Sequence, residues 1–345
     1  MSRKRSATIH DVAKLAGVSI KTVSRVVNNE PKVRAETARR VREAIAALDY
    51  VPNSSARSLR SERAPLIGLV HDNPSIGYIS TILIGAHAAC RRYDYHLVVE
   101  PIRADAPDLD EAIERLVVRS RISGLILTPP VCDDPRILAT LERHDLPFAQ
   151  IAPNIRAPGN CYVYMEDEQA AFELTRKLIE LGHRRLAIIL GDPNQIASTD
   201  RRRGFERALA EAGLPLPAEY VQQGDFTYRS GLRCAEALLT LPEPPSAIFA
   251  SNDDMAIAAI SVAHKHHLHV PDDVSIVGFD DIPYAAELWP ALTTVRQPIA
   301  EMAAAAVELL LEHALPAHRQ GETCRLVTRL DYTLQLRESA GPPRR

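Results

Sequence analysis

From Leu66 to the C-terminus, short apolar runs alternate with longer stretches whose apolar positions recur every three or four residues. The runs LIGLV (66–70), HLVVE (96–100), GLILT (124–128), FAQIA (148–152), RLAIIL (185–190), AIFAS (247–251) and VSIVGF (274–279) have the length and composition of strands. Between them, helical patterns fall near 80–93, 108–120, 134–144, 168–181, 200–212, 228–241, 253–267 and 299–313. Strands that are apolar along their whole length and are separated by helices predict parallel sheets covered on both faces. The 280 residues of this part are too many for one such sheet. The pattern therefore predicts an α/β body of two doubly wound lobes with a cleft between them.

The first sixty residues obey only the helical period. Thr8 followed by Asp11 is a capping-box pattern, and Val12, Leu15 and Ala16 give the helix behind it an apolar stripe. Gly17 supplies a left-handed stop and Ser19 a second cap. In the next helix Val23, Val26 and Val27 face inward, leaving Ile20, Lys21, Thr22, Ser24, Arg25 and Asn28 outside. A third helix, ETARRVREAIAALDY, carries Val41, Ile45 and Leu48 at i, i+4 and i+7. Three amphipathic helices predict a small all-α head, and a polar-faced second helix after a tight turn has the form of a helix-turn-helix reader.

Charge separates the same two parts. Residues 1–63 hold 14 Lys/Arg against 6 Asp/Glu, while the remainder holds 27 against 38. A basic head on an acidic body predicts a polyanion partner for the head alone. No run approaches the roughly 18 apolar residues of a membrane span, and MSRKRSATIHD has no apolar segment behind its basic start. A cytoplasmic protein is expected. The five cysteines are scattered and form no CxxC, so they read as reduced thiols, not as a disulfide framework or zinc site.

The absence of GxGxxG after the first strand, GxxxxGK[ST], GxSxG and HExxH predicts no enzyme and no cofactor. The histidine run HKHHLH (264–269) has no accompanying acidic or cysteine set and lies at a helix C-terminus, where cations are favourable. It reads as a capping or surface feature, and no metal is expected.

The segments TIHDVAKLAGVSIKTVSRVVNN and TARRVREAIAALDYVPNSSARSL resemble the DNA-binding head and hinge of the lac repressor family of bacterial transcription regulators. The resemblance continues in order through RSRISGLILTPP, LIELGHRRLAIILG, DRRRGFERAL, GDFTYRSG, ASNDDMAIAAI, VPDDVSIVGFDD and PALTTVRQP, from about Thr8 to Arg337. It implies a helix-turn-helix head over 1–52, a hinge helix and linker over 53–65, and a body over 66–345 built like periplasmic sugar-binding proteins. The lobes would exchange strands near 161, 291 and 323, giving a first lobe of about 66–161 and 292–322 and a second of about 162–291 and 323–337.

In the head, the resemblance places Ile20, Lys21 and Arg25 at base-reading positions in the major groove. Lys and Arg suit guanine O6 and N7, and Ile suits a thymine methyl. Thr8, Ser19, Thr22, Ser24 and Asn28 would hold phosphates. One departure is Arg34, where the family usually has a small hydroxyl residue capping the third helix. In the hinge, Ser55, Ala56 and Leu59 share one helical face and Arg57 and Arg60 another. By resemblance Ala56, Arg57 and Leu59 meet the minor groove, with Leu59 as the wedge that kinks DNA.

Ligands of open α/β sheets bind just past the carboxyl ends of strands. Asn252 and Asp253 follow AIFAS, and Asp280 and Asp281 follow SIVGF. Asn252 and Asp253 also suit the start of the next helix, and capping and ligand roles are expected to be shared between them. The resemblance makes Arg201, Asn252 and Asp280 effector ligands and Phe226 the aromatic that packs on the effector. Asp167, Asp72, Tyr78 and Ile79 are further pocket candidates. An Arg fork and carboxylates suit a polyol. The expected protein is a repressor binding a palindromic operator as a homodimer, with a mono- or disaccharide in the cleft. The alternatives are a purine or sugar-phosphate co-repressor and, more remotely, a transporter's solute-binding protein. Only ESAGPPRR follows Arg337, with no heptad segment for tetramerisation.

Overall fold

The computed structural model describes residues 7–27, 33–48, 65–154, 161–320 and 326–344. Its contacts divide the chain into two units, Met1–Pro65 and Leu66–Arg345.

The first unit holds α1 (Ile9–Ala16), α2 (Ile20–Val27) and α3 (Ala35–Ala47). The capping box at Thr8 forms in both directions: the Asp11 backbone N donates to Thr8 Oγ1, and the Thr8 backbone N donates to Asp11 Oδ2 at 2.8 Å. Gly17 closes α1 at φ 65°. Val12, Ala13, Ala16, Val23, Val26, Val41 and Ala44 form the core. Leu15, expected in the α1 stripe, is instead 56% exposed, because Ala13 and Ala16 occupy the face that meets the other helices. Arg34 precedes α3 without any side-chain cap. Arg40 of α3 donates to the carbonyls of Ala16 and Gly17, so a cation satisfies acceptors at the end of α1.

In the second unit β1 (Leu66–His71), β2 (His96–Pro101), β3 (Gly124–Leu127), β4 (Phe148–Ile151), β5 (Tyr162–Tyr164) and β11 (Val327–Arg329) make a parallel six-stranded sheet in the order β11-β5-β4-β3-β1-β2. The helices α4 (Ile76–Arg92), α5 (Leu109–Ser120) and α6 (Pro135–Arg143) connect its strands. A second parallel sheet has the order β7-β6-β8-β9, from β6 (Leu186–Leu190), β7 (Val221–Gln223), β8 (Ala247–Ala250) and β9 (Ser275–Val277). It alternates with α7 (Asp167–Glu180), α8 (Ile196–Glu211), α9 (Tyr228–Leu239) and α10 (Asp253–Lys265). Every residue of β3, β6, β8 and β9 is buried, which is why these strands read as unbroken apolar runs.

Among the described residues the chain passes between lobes three times. After β5 it enters the second lobe, and it returns through β10 (Thr294–Arg296) to α11 (Ile299–Glu308), which packs on α4. A π-helical segment and α12 (Leu315–Arg319) follow, and after β11 the chain crosses again to β12 (Thr333–Gln335), the antiparallel partner of β10. The expected crossings at 161 and 323 are corrected by a few residues, because Tyr162–Tyr164 and Val327–Arg329 hydrogen-bond into the first sheet. Residue 291 likewise precedes the crossing, since Thr293 still bridges to Val277 of the second sheet. Cys90, Cys132 and Cys234 are free and buried, whereas Cys161 is disulfide-bonded, correcting the expectation of reduced thiols at that position.

Candidate functional site

The carboxyl ends of the two sheets face a common cleft. The first lobe contributes Asn73 and Ser75 after β1, Tyr78 on α4, Pro129 after β3 and Ala152 after β4. The second contributes Asp167, Gln195, Ala197, Arg201, Phe226, Asn252 and Asp280, and Gln297 stands in the crossing between β10 and α11.

A buried charge trio organises this space. Arg201, on α8, donates from Nε to Asp167 Oδ1 at 2.9 Å and from Nη1 to the Ser251 carbonyl at 2.6 Å, and its Nη2 stands 2.8 Å from the same Asp167 oxygen. Its guanidinium lies 3.7 Å over the Phe279 ring and 5.8 Å from that of Phe226. Two of its five N–H donors are hydrogen-bonded to those partners. The Arg-x-x-Gly spacing has a steric cause: a Cβ on Gly204 would sit 2.1 Å from the Glu168 carbonyl of α7. Only that close helix approach lets Arg201 reach Asp167 at the first turn of α7.

Asp280 completes the trio, with Oδ1 3.7 Å from Arg201 Nη1 and accepting from Gln297 Nε2 at 2.5 Å. Its backbone, at φ 126°, is pinned by bonds to Val295 and Gln297. Burial pushes its carboxyl up to about 7 against the opposing pull of Arg201 and Gln297. Tyr78 faces the trio from the other lobe, and burial, reinforced by Asp280, raises its phenol well above the ordinary value. It is therefore a neutral hydroxyl at physiological pH.

Asn252 is the N-cap of α10, accepting from the Met255 backbone N at 3.0 Å while its amide donates to the Phe226 carbonyl at 2.9 Å. This second bond helps hold Phe226 at φ 65°, a conformation bulky residues rarely adopt. Room for the ring comes from Gly191 at the end of β6, where a Cβ would fall 2.0 Å from Phe226. Asp253 takes neither expected role: its two oxygens accept from Thr294 Oγ1 and the Ile282 backbone N, locking the loop after β9.

The cleft thus gathers Arg201, Asn252, Asp280, Phe226, Asp167 and Tyr78. Asp72 and Ile79 are not among its lining residues. Asp72 accepts from the Ala104 backbone N at 2.8 Å, tying the β1 and β2 ends together, and Ile79 turns inward from α4 into the core. Asn73, Ser75, Pro129, Ala152, Gln195, Ala197 and Gln297 were not anticipated. Their only signal was position just past a strand end, or in a crossing, which is too common to single out a residue.

In the head, Ile20 is 41% exposed, Ser19 and Lys21 are exposed, and Thr22, Ser24 and Arg25 are half-buried along α2. The hydroxyls of Thr8 and Ser19 serve as helix caps, Ser19 Oγ accepting from the Thr22 backbone N at 3.2 Å. Asn28 and the hinge residues Ala56, Arg57 and Leu59 lie outside the described residues. Among the described residues no cluster of histidine, cysteine and acidic groups suits a metal ion, and no helix is long and apolar enough to cross a membrane.

Residues 8–53 match the model of bacterial regulatory proteins of the lacI family, and residues 175–339 match the periplasmic binding protein-like domain. The HTH-type transcriptional repressor PurR of Aliivibrio salmonicida is 34% identical over 317 residues, 91% of this chain and 94% of that protein. The ribose operon repressor of Haemophilus influenzae is 31% identical over 334 residues, covering 96% and 98%. Among solved structures, the transcriptional regulator CelR–cellobiose complex superposes with a TM-score of 0.73 at 30% identity, covering 97% of this chain and all of that one. The lac repressor dimer bound to operator and the anti-inducer ONPF gives 0.77 at 27%, covering 98% and 100%. A helix-turn-helix head, a two-lobed parallel-sheet body and relatives matched along almost the whole chain lead to one conclusion: this protein belongs to the lacI family of bacterial transcription regulators.

Proposed function

We propose that this regulator represses genes of carbohydrate uptake or catabolism, binding a palindromic operator as a homodimer and responding to a neutral mono- or disaccharide in the cleft. The observation that carries the effector assignment is the charge balance of the trio. Arg201, the one cation among the described lining residues, is already paired with Asp167 and set beside the partly ionised Asp280, so an anionic ligand would add negative charge without a free partner. Neutral hydroxyls fit better. They accept from the remaining Arg201 N–H groups and donate to the carboxylates, with Phe226 offering an apolar ring face. The cellobiose complex of one relative and the name of the ribose operon repressor support a sugar as the class.

On the DNA side, Ile20, Lys21 and Arg25 read the major groove from α2, and Thr8, Ser19, Thr22, Ser24 and Asn28 hold phosphates. Two heads related by a two-fold axis would require an operator of matching symmetry. In this reading Ala56, Arg57 and Leu59 meet the minor groove when two hinges and DNA come together, and lobe movement on ligand binding controls that ordering. Thermal-shift screening of the full chain against neutral sugars, nucleosides and sugar phosphates tests the effector class. A shift with sugars alone is expected. A response confined to nucleosides or phosphates would replace the carbohydrate assignment.

A further inference from the structure

Beyond the pocket, the two lobes are also joined at Asn154. The first lobe holds this residue firmly, since its backbone N donates to Asp133 Oδ2 at 2.7 Å. Its side chain reaches the second lobe, where Oδ1 accepts from the Ile196 backbone N at 2.7 Å and Nδ2 donates to the Asn194 carbonyl at 3.0 Å. Ile196 is the first residue of α8, and Gln195, in the N-cap position, provides no side-chain cap of its own. The start of α8 is therefore capped by a side chain from the opposite lobe, a role normally filled within the same segment. The contact also sits against the pocket walls: Ala152 lies two residues before Asn154, Gln195 and Ala197 flank Ile196, and all three line the cleft.

We propose that Asn154 is the closure-positioning residue of the cleft, a helix cap supplied by one lobe to the other that is made only when the lobes are closed. Asn154 touches no ligand in this scheme. It acts through α8, the helix that carries Arg201, and it biases the closed state that the cleft ligand also favours. Opening withdraws the cap and hands the Ile196 N–H to water. The contact is one link among several, since Ile282 of the second lobe also packs against Gly77 of the first. Its loss should therefore shift the equilibrium on the order of three- to tenfold, the range of one helix cap, without unfolding the body.

Amide hydrogen exchange on the ligand-free full chain tests this directly. Asn154→Ala should speed exchange of the Ile196–Ser198 amides about three- to tenfold and leave the second half of α8 unchanged. Asn154→Asp, which keeps the acceptor at the helix start, should restore most of that protection. Unchanged exchange in the alanine variant overturns the proposal, and so does an increase spread over the whole second lobe, which would mark ordinary destabilisation. The proposal rests on the cleft being an effector site, so cellobiose and D-ribose are titrated against both proteins by calorimetry. For a sugar that wild type binds, weaker binding by the alanine variant is expected, and equal binding counts against the clasp. Failure of wild type to bind either sugar counts against the carbohydrate assignment and leaves the exchange result to decide the clasp.

Discussion

Replacing Arg201 with methionine removes the charge while keeping much of the side-chain volume. Arg201 is 4% exposed and its partners Asp167 and Asp280 are 6% and 4% exposed, so the variant leaves two carboxylates buried without a counter-ion. Breaking a buried pair from one side costs about 3–5 kcal/mol, because the remaining charge keeps its desolvation penalty and loses its partner. At about 2 °C per kcal/mol for a body of this size, the melting temperature at pH 8 should fall by roughly 6–10 °C. The pH dependence is the sharper signature. Asp280 already has a folded-state pKa of about 7, above the unfolded value near 4, so its ionisation costs stability as pH rises through that interval. Arg201 offsets this cost in wild type, and without it the Asp280 carboxyl moves further up. The deficit of the variant should therefore be largest at pH 8 and shrink toward pH 5, where the buried Asp280 carboxyl takes up a proton. Adding Asp167→Asn to Arg201→Met should recover part of the loss. Melting of wild type, both single variants and the double variant across pH 5–8 measures this. A deficit below about 1 kcal/mol, or one independent of pH, would refute the account of Arg201 as the counter-ion of a buried trio.

Gly191→Ala should push Phe226 out of place, since the new methyl cannot coexist with the ring; calorimetry with a cleft ligand found by screening should show affinity reduced on the order of tenfold. Thr8→Ala removes one half of the capping box, and the head should lose about 1 kcal/mol, read as faster amide exchange confined to α1. Arg25→Ala or Lys21→Ala should cost about 1–3 kcal/mol at one half-site position and relax base preference there. Equal weakening on every operator variant would reduce these residues to phosphate contacts.

Several strands and most helices were legible because burial on both faces leaves little choice of residue. LIGLV, RLAIIL and AIFAS carry their environment in their composition, and the observed β1, β6 and β8 lie on them. The three-residue strands β5, β7, β10, β11 and β12 were missed because so short a segment completes too few periods to separate it from loop. Their pairing is decided by partners distant in the chain, as when Val327 aligns with Tyr162. The same limit explains Leu15, whose helical period was correct while its outward placement was fixed by where α3 lies.

The site divides the same way. Capping at Thr8 and Gly17 is settled within a few residues, so it is written in residue order alone, along with the charge contrast between head and body and the alternation that makes two α/β lobes. Positions just past strand ends also pointed to Asn252 and Asp280, whereas Arg201 was nominated only by the family resemblance. Tertiary structure decided what each one does. It gave Asp253 to a loop lock and Asp72 to a β1–β2 tie, brought Gln297 onto Asp280 from the crossing, and placed Asn154 as a cap on a helix of the other lobe. Those assignments depend on directions and distances between segments 17 to 42 positions apart, which residue order alone does not encode.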